Sequence, residues 1–391
     1  MTDQSNNALS QSNEKINAIA LIELIKDNTS VNHYTQLNNY WESKARREGS
    51  PLQGILELTP YCNLDCKMCY VHMDRKKYPS EHLLPAKTWI QLIDEARDLG
   101  LLRLSLSGGE CLTHPDFDEI YLHLYHRGIK TRVLTNGVLL DERRIAFFQR
   151  HPPNLIQITL YGSNEAEYEE VTGHRFFGNV LNNLNKLKES GLPVSISITP
   201  NPYMNQDYRA LLKLAKNLDF PFQINSGLID PRENTGRKGS DLSGDQYAEI
   251  LKQRAEIMGQ KLQPIDSACV PLPNTRIPDY PKVGILCGAG RSSFVIQYNG
   301  RLCACVGLTD ITEEPLKLGF SKAWKSLNEK ARNYVTPGEC QACVYASQCA
   351  LCPAAHKHAP QGHCDRRICE RTVKLVSMGI LRSPDMKYPC D

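Results

Sequence analysis

Between residue 54 and about residue 260, short apolar runs alternate with longer segments whose apolar positions recur at helical spacing. The short runs are rich in branched residues and predict strands, whereas leucines at 181, 184 and 187 mark one face of a helix. Because the two patterns alternate, they predict βαβ units and a parallel sheet. The predicted strands lie near 55–58, 102–106, 131–135, 155–160, 194–198 and 221–225. The predicted helices are 117–126, 141–150, 179–190, 208–217 and 245–258.

Three regions follow from this pattern. Residues 1–50 are predicted to form an N-terminal helical arm with an amphipathic helix at 16–25. Residues 51–263 carry the strand and helix alternation, which ends in a polar loop rich in Gly and Ser. A proline-rich stretch then leads into a second domain, residues 264–391, which holds most of the cysteines.

Composition narrows the classes of function. The chain has 391 residues, of which 41% are hydrophobic, so it is long enough for a large core and a smaller domain. A net charge of +3 gives no general basic surface for nucleic acid. No apolar run reaches the roughly 18 residues of a transmembrane helix, and the polar N-terminus does not resemble a secretory signal. The expectation is a soluble cytoplasmic protein.

The number and spacing of the cysteines indicate metal sites. There are 15 cysteines in a chain without an export signal, so metal ligation is expected rather than disulfide formation. Cys62, Cys66 and Cys69 lie within eight residues, directly after the first predicted strand. Three thiolates so placed can hold three irons of a cubane cluster and leave one iron open, since iron–sulfur sites usually take four cysteines. A zinc knuckle with His72 as fourth ligand is the alternative.

The Cx3Cx2C spacing resembles the radical S-adenosylmethionine (SAM) superfamily. Membership implies a partial (β/α)6 barrel, a 4Fe–4S cluster whose open iron binds SAM, and reductive cleavage of SAM to a 5′-deoxyadenosyl radical. One departure is that Met68 stands where the family usually has an aromatic residue.

Further motifs follow the next three strands. Gly-Gly-Glu at 108–110 resembles the segment that holds the SAM amino group, although Cys111 replaces the usual proline and is expected to be a packed thiol. Thr135-Asn136-Gly137 and Thr159-Leu-Tyr-Gly162 resemble family turns, the second with Tyr161 in place of Asp. An arginine at 175 is a candidate for the SAM carboxylate, because guanidinium groups bind carboxylates bidentately. The SAM-binding set so implied is Gly108, Gly109, Glu110, Asn136, Thr159 and Arg175.

The C-terminal cysteines form a second pattern. A Gx4C element ends at Cys305, and a Cx2Cx5Cx2C run begins at Cys340. Two Cx2 pairs also occur in zinc ribbons, and His356, His358 and His363 lie nearby. The pattern resembles the SPASM domain, which carries one or two auxiliary 4Fe–4S clusters. This resemblance implies one site from Cys287, Cys305 and Cys352, with Cys269, Cys303 or an open position completing it. It implies a second site from Cys340, Cys343, Cys349 and Cys369, with Cys364 as the alternative last ligand and Cys390 spare.

SPASM enzymes mostly modify peptides and proteins, so the resemblance implies maturation of a ribosomal peptide, with a flavodoxin or ferredoxin as reductant. Sulfatase maturation is disfavoured, because Val306 stands where those enzymes place an Asp base. A small-molecule substrate is the alternative within the enzyme class. A non-catalytic iron–sulfur or zinc protein is the alternative outside it.

Overall fold

The computed structural model describes residues 30–71, 83–225, 242–260, 285, 287–335, 338–341, 343, 345, 349, 352–356 and 366–380. The chain divides into two compact units, Met1–Glu48 and Gly49–Asp391. Several sequence-based expectations lie outside the described residues. They are the helix at 16–25, the proline-rich stretch, most of the polar loop, His72, Cys269, His358, His363, Cys364 and Cys390.

The first unit contains helix α1, Ser30–Glu48. Within it, the Lys44 ammonium lies 5.6 Å from the centre of the Trp41 ring and 3.9 Å from the Glu48 carboxylate one turn later. This helix was not predicted from the sequence, and the helix expected at 16–25 lies outside the described residues.

The second unit is built on one nine-stranded sheet with the order β6-β5-β4-β3-β2-β1-β7-β8-β9. Strands β1 to β6 are mutually parallel and are added in sequence order. The strands are β1 Gln53–Glu57, β2 Arg103–Ser107, β3 Lys130–Thr135, β4 Leu155–Thr159, β5 Val194–Ile198, β6 Phe222–Ile224, β7 Ser293–Ile296, β8 Leu302–Cys303 and β9 Thr312–Glu313.

Helices connect the parallel strands and continue after them. The longer ones are α2 Ala86–Asp98, α3 Phe117–His126, α4 Glu142–Arg150, α5 Glu165–Thr172, α6 Phe177–Ser190, α7 Arg209–Asn217, α8 Gly244–Met258, α10 Phe320–Arg332 and α13 Arg366–Ser377. The short ones are α9 Pro315–Leu318, α11 Gly338–Gln341 and α12 Pro353–His356. None of the described helices is long and apolar enough to span a bilayer.

The alternation of buried and partly buried side chains along the strands explains how the helices pack on the sheet. In β2, Leu104 and Leu106 are buried, whereas the residues between them are only partly buried. The two leucines belong to the same core cluster as Trp89 of α2 and Phe117 of α3. Right-handed crossovers that always step in one direction place all connecting helices on one face of the sheet. The C-terminal ends of the strands therefore meet at one edge, as in a β/α barrel.

The strands and helices predicted between residues 54 and 260 all form, with bounds that differ by a few residues at most. Strand β7 was not predicted. It pairs in parallel with β1, and β8 and β9 extend the sheet as antiparallel strands. The predicted domain boundary at residue 263 stays a prediction. Strand β7, which follows that boundary in the chain, joins the same sheet as the earlier strands.

Two side-chain contacts attach α10 to the parallel strands and their helices. The Trp324 indole N–H donates to the Gly49 carbonyl at 2.6 Å. The Glu95 carboxylate of α2 accepts the backbone N–H of Phe320 at 2.6 Å. The second contact satisfies one of the N–H groups that a helix leaves unpaired at its start.

We therefore expect Glu95→Ala to lower the free energy of unfolding by about 1–2 kcal/mol, because it removes a charged hydrogen-bond acceptor from a helix N-terminus. Urea unfolding measures this loss. Glu189→Ala is the control, since Glu189 is exposed near the end of α6, and such a change costs less than about 0.5 kcal/mol. If both substitutions lowered the free energy of unfolding equally, Glu95 would not stabilise the start of α10 as described.

Candidate functional site

The segment after β1 is held against the turn after β2 by backbone contacts. The Gly109 N–H donates to the Thr59 carbonyl and the Glu110 N–H to the Tyr61 carbonyl, each at 2.7 Å. A Cβ on Gly109 would lie 2.2 Å from the Tyr61 carbonyl oxygen, and one on Gly108 would lie 2.4 Å from that of Thr59. The two glycines are therefore required for this approach of one loop to the other.

Helix α5 supports the cysteine loop from the other side. The Asp65 N–H donates to the Thr172 carbonyl and the Lys67 N–H to the Val171 carbonyl, both at 2.9 Å. These carbonyls belong to the last turn of α5, where a helix has no partners of its own for them. Lys67 also forms an ion pair with Glu170. The loop thus has fixed backbone partners on both sides.

The loop brings Cys62, Cys66 and Cys69 together. Cys66 is buried and the other two are half-buried. Burial raises the pKa of Cys62 to about 12, with further increases from Glu110 and Cys69. Burial also raises the pKa of Cys66, and the charges of Cys69 and Cys62 raise it further. Three buried or half-buried thiols whose ionised forms repel one another are a donor set suited to a cationic metal group, which would offset that repulsion.

Polar groups are directed at these sulfur atoms. The Leu64 N–H lies 3.4 Å from the Cys62 sulfur, and the Asn136 amide nitrogen lies 3.6 Å from it. The Tyr161 phenol lies near these thiols: burial raises its pKa, and the charges of Cys66 and Cys62 raise it further. Asn136 also donates to the Asn63 side-chain oxygen at 2.7 Å. The Asn63 amide nitrogen is buried without a hydrogen-bond partner among the described residues.

Glu110 joins the ends of β2 and β3. One carboxylate oxygen accepts the Thr135 hydroxyl at 2.8 Å and the Leu112 N–H at 3.2 Å. The other oxygen accepts the Asn136 N–H at 2.8 Å. The side chain is 1% exposed, and burial raises the pKa of its carboxyl group. Its hydrogen bonds tie the Gly-Gly-Glu turn to the Thr-Asn-Gly turn.

Thr159 and Arg175 differ in how they relate to the cysteines. Thr159 is the half-buried last residue of β4, at the sheet edge where the cysteine loop begins. The side chain of Arg175 is 69% exposed, and its guanidinium pairs with Glu169 at 3.0 Å. The structure therefore does not direct Arg175 into the site, because its guanidinium faces solvent. Its proposed contact with the SAM carboxylate stays a prediction.

The C-terminal cysteines are grouped as well. Burial raises the pKa of Cys305, and the nearby Cys352 and Cys287 raise it further. The structure thus brings together the three cysteines expected to form one auxiliary site. Tyr334 lies near both Cys352 and Cys340, whose charges add to burial in raising its pKa.

The second expected set is Cys340, Cys343, Cys349 and Cys369. The Cys343 N–H donates to the Cys340 carbonyl at 3.4 Å, and Cys369 lies half-buried on α13. Cys303 is buried on β8, and its thiol lies 3.7 Å from the Thr312 hydroxyl. No described cysteine is in a disulfide. Within the described part of the chain, no three Cys, His, Asp or Glu side chains converge closely enough to hold a single metal ion.

Comparison with known protein families identifies the domain that contains Cys62, Cys66 and Cys69. Residues 56–215 match the model of the radical SAM superfamily. These residues form a radical SAM domain. The predicted radical SAM domain is thus confirmed for these residues.

One sequence relative is a PqqA peptide cyclase from Streptomyces rochei, 27% identical over 150 residues. The match covers 38% of this chain and 41% of the relative, so less than half of the relative's length is spanned.

The fold likeness to solved structures extends over more of the chain than the radical SAM domain alone. Streptococcus suis SuiB bound to SAM has a TM-score of 0.62 at 19% identity, covering 88% of this chain and 84% of SuiB. SuiB is also known bound to its precursor peptide SuiA. The enzyme anSMEcpe with bound SAM has a TM-score of 0.63 at 15% identity, covering 84% of this chain and 96% of that one. It is also known with SAM and the Cp18Cys peptide. These likenesses confirm the predicted α/β fold class.

Helix α5 and its contacts with the cysteine loop were not predicted from the sequence. A signal for this helix is present, because the Asn164 side chain accepts the Glu167 N–H at 3.0 Å at the start of α5. Asn followed three residues later by Glu is a common helix start. The roles of Asn63 and Leu64 had no comparable signal, since they depend on how the loop folds.

We expect Gly109→Ala to lower the free energy of unfolding by about 1–3 kcal/mol, the usual cost of forcing atoms into a packed site. Gly178→Ala is the matched control, because a Cβ there meets no atom within 4 Å and the residue lies in α6. Urea unfolding of both variants tests the point. A Gly109→Ala protein as stable as wild type would show that the close approach of the two loops is not required.

Proposed function

We propose that the chain is a radical SAM enzyme that acts on a peptide or protein. Cys62, Cys66 and Cys69 would hold a 4Fe–4S cluster. When bound, this cluster supplies the open iron that binds SAM and the electron that cleaves it to methionine and a 5′-deoxyadenosyl radical. The observation that carries the proposal is the placement of these three cysteines on one doubly supported loop at the C-terminal edge of the sheet, inside a radical SAM domain.

The residues around the loop fit such a group. The donor set is all thiol, which favours iron–sulfur or zinc ligation over harder cations. Asn136 and Leu64 present N–H groups to the Cys62 sulfur, and such hydrogen bonds stabilise thiolate ligands. Asn63 presents a buried amide nitrogen for which the described residues offer no acceptor. A bound anionic group at the loop would supply one.

Groups at neighbouring strand ends would position SAM. Glu110 is already engaged by four described donors, so its first task is to fix the Gly-Gly-Glu and Thr-Asn-Gly turns relative to each other. The half-buried residues Gly108, Gly109 and Thr159 stand at the same edge. Arg175 could contribute only after its guanidinium leaves Glu169. The SAM-facing set remains Gly108, Gly109, Glu110, Asn136, Thr159 and Arg175.

A peptide substrate is supported by the proteins that this chain resembles. The sequence relative is named a peptide cyclase, and SuiB and anSMEcpe have both been solved with peptides. A flavodoxin or ferredoxin would supply the electron. The C-terminal cysteines would hold one or two auxiliary clusters, one of them on Cys287, Cys305 and Cys352 and the other on Cys340, Cys343, Cys349 and Cys369.

The proposal predicts 5′-deoxyadenosine when the anaerobically reconstituted protein is incubated with SAM and dithionite. Cys66→Ser should lose this product, because one of three ligands to the cluster is removed. Cys111→Ser should retain it. Cys111 is equally buried, but its thiol donates to the Leu134 carbonyl at 3.3 Å rather than lying on the cysteine loop. Absence of 5′-deoxyadenosine from iron-loaded wild type would refute the proposal.

Iron content tests the auxiliary sites. Wild type should bind about twelve irons and equal sulfide if three cubane clusters form, and Cys305→Ser should bind about four fewer. Cys111→Ser should match wild type, because Cys111 is a buried thiol outside both expected ligand sets that donates to the Leu134 carbonyl. Iron and sulfide analysis after reconstitution gives the counts. Zinc in place of the missing iron would assign the C-terminal domain a structural metal instead.

A further inference from the structure

Asn63 follows the first cysteine of the loop, and its side-chain amide lies beside the Cys62 sulfur. The Asn63 side-chain oxygen is 3.8 Å from that sulfur. The amide nitrogen is bonded to the same carbon as this oxygen, so it lies close to the same part of the loop. This nitrogen is buried and has no hydrogen-bond partner among the described residues. A buried donor without an acceptor is rare and costly, so it indicates that a further group binds here.

The partners of Asn136 establish which atom of the Asn63 amide is the nitrogen. The backbone N–H of Val138 can only donate, and it donates at 3.0 Å to the Asn136 side chain, whose accepting atom is therefore the oxygen. The other polar atom of Asn136 is its nitrogen, which donates at 2.7 Å to Asn63. The accepting atom of Asn63 must then be its oxygen. The atom left without a partner is the nitrogen, which is a donor.

The Asn136 side chain that orients Asn63 is itself held by the turn after β3. The Asn136 backbone N–H donates to the Glu110 carboxylate at 2.8 Å, and the Asn136 side chain is buried. Its amide nitrogen also lies 3.6 Å from the Cys62 sulfur. The Asn63 amide is therefore oriented by protein groups before any cofactor binds, as a preorganised donor should be.

Metal binding changes what the neighbouring sulfur can do. As a thiol, Cys62 can donate toward the Asn63 oxygen. A cysteine that binds a metal is a thiolate, which has no proton to donate and only accepts hydrogen bonds. The sulfur atoms of a bound cluster would thus supply acceptors where the described residues supply none. Binding of the cluster would remove the cost of the unpaired donor.

We propose that the Asn63 side-chain amide donates a hydrogen bond to a sulfur atom of the cluster held by Cys62, Cys66 and Cys69, and thereby raises the reduction potential of that cluster. This inference rests on the proposed function. Hydrogen bonds to sulfur are among the factors that set iron–sulfur potentials, because they stabilise the negative charge added on reduction. The effect is large in a buried site, since little water competes for the sulfur.

Two substitutions separate the donor from the shape of the side chain. Asn63→Asp keeps the shape and an oxygen that accepts from Asn136, but it replaces the unpaired donor with a negatively charged acceptor. Asn63→Leu keeps a similar volume and removes the donor without adding charge. Asn185→Asp is the matched control, because it makes the same chemical change on an exposed residue of α6.

The first test is an anaerobic redox titration of the reconstituted proteins, followed by electron paramagnetic resonance. The signal to follow is the one that changes when SAM is added. Asn63→Leu should keep the iron content of wild type and show a more negative midpoint potential. Asn63→Asp should show a potential more negative still, because its charge opposes reduction. Asn185→Asp should show the wild-type potential.

The second test detects the contact itself by electron–nuclear double resonance, with asparagine isotopically labelled at its side-chain nitrogen. Before SAM is added, the reduced wild-type cluster should show two couplings to labelled nitrogen, one from Asn63 and one from Asn136. Asn63→Leu should lose one coupling and keep the other.

Three results would overturn the inference while leaving the proposed function intact. One is a wild-type potential in both Asn63 variants, and another is a shift as large in Asn185→Asp as in Asn63→Asp. The third is a second coupling that appears only after SAM is added, which would assign the donor to SAM. If neither Asn63 variant binds iron, labelled wild type decides, and a single coupling refutes the inference. Wild type without iron would remove the proposed function itself.

Discussion

The candidate site depends on one close backbone contact, between the segment that leads into Cys62 and the Gly-Gly-Glu turn. Two hydrogen bonds of 2.7 Å join them, and a side chain on Gly109 would collide with the Tyr61 carbonyl. The contact fixes where the cysteine loop begins. It also places Glu110 so that its carboxylate reaches the next strand end. Three strand ends are thereby coupled, the first two through main-chain hydrogen bonds and the third through the buried Glu110 carboxylate.

Burial of ionisable side chains determines the protonation of the groups at this edge of the sheet. Cys62, Cys66 and Glu110 all have raised pKa values because desolvation disfavours their charged forms. Glu110 is compensated by four described donors, so its position is stabilised by the fold itself. The charges of the thiols raise one another's pKa, so full ionisation of all three would be costly without a cation. The same burial that protects the thiols therefore makes them dependent on a bound metal group for their thiolate form.

Local pattern was enough to predict most of this arrangement. Strand and helix periodicity reflects side-chain burial, so β5 and α3 form with the predicted bounds. The cysteine spacing and the Gly-Gly-Glu turn depend on a few adjacent residues, so both motifs could also be recognised in the sequence. The sequence did not reveal β7, because its pairing with β1 joins residues far apart in the chain. Nor did it show that Arg175 pairs with Glu169 in solvent, since a rotamer is set by its surroundings.

The central claim is that SAM binds directly to a cluster on Cys62, Cys66 and Cys69. Electron–nuclear double resonance of the reduced protein, with SAM isotopically labelled at its amino nitrogen, measures this binding. The account predicts a coupling between the labelled nitrogen and the cluster in wild type, and none in a Cys66→Ser protein. A reduced, iron-loaded wild type that shows no coupling to the labelled SAM would contradict the account, whatever its C-terminal cysteines bind.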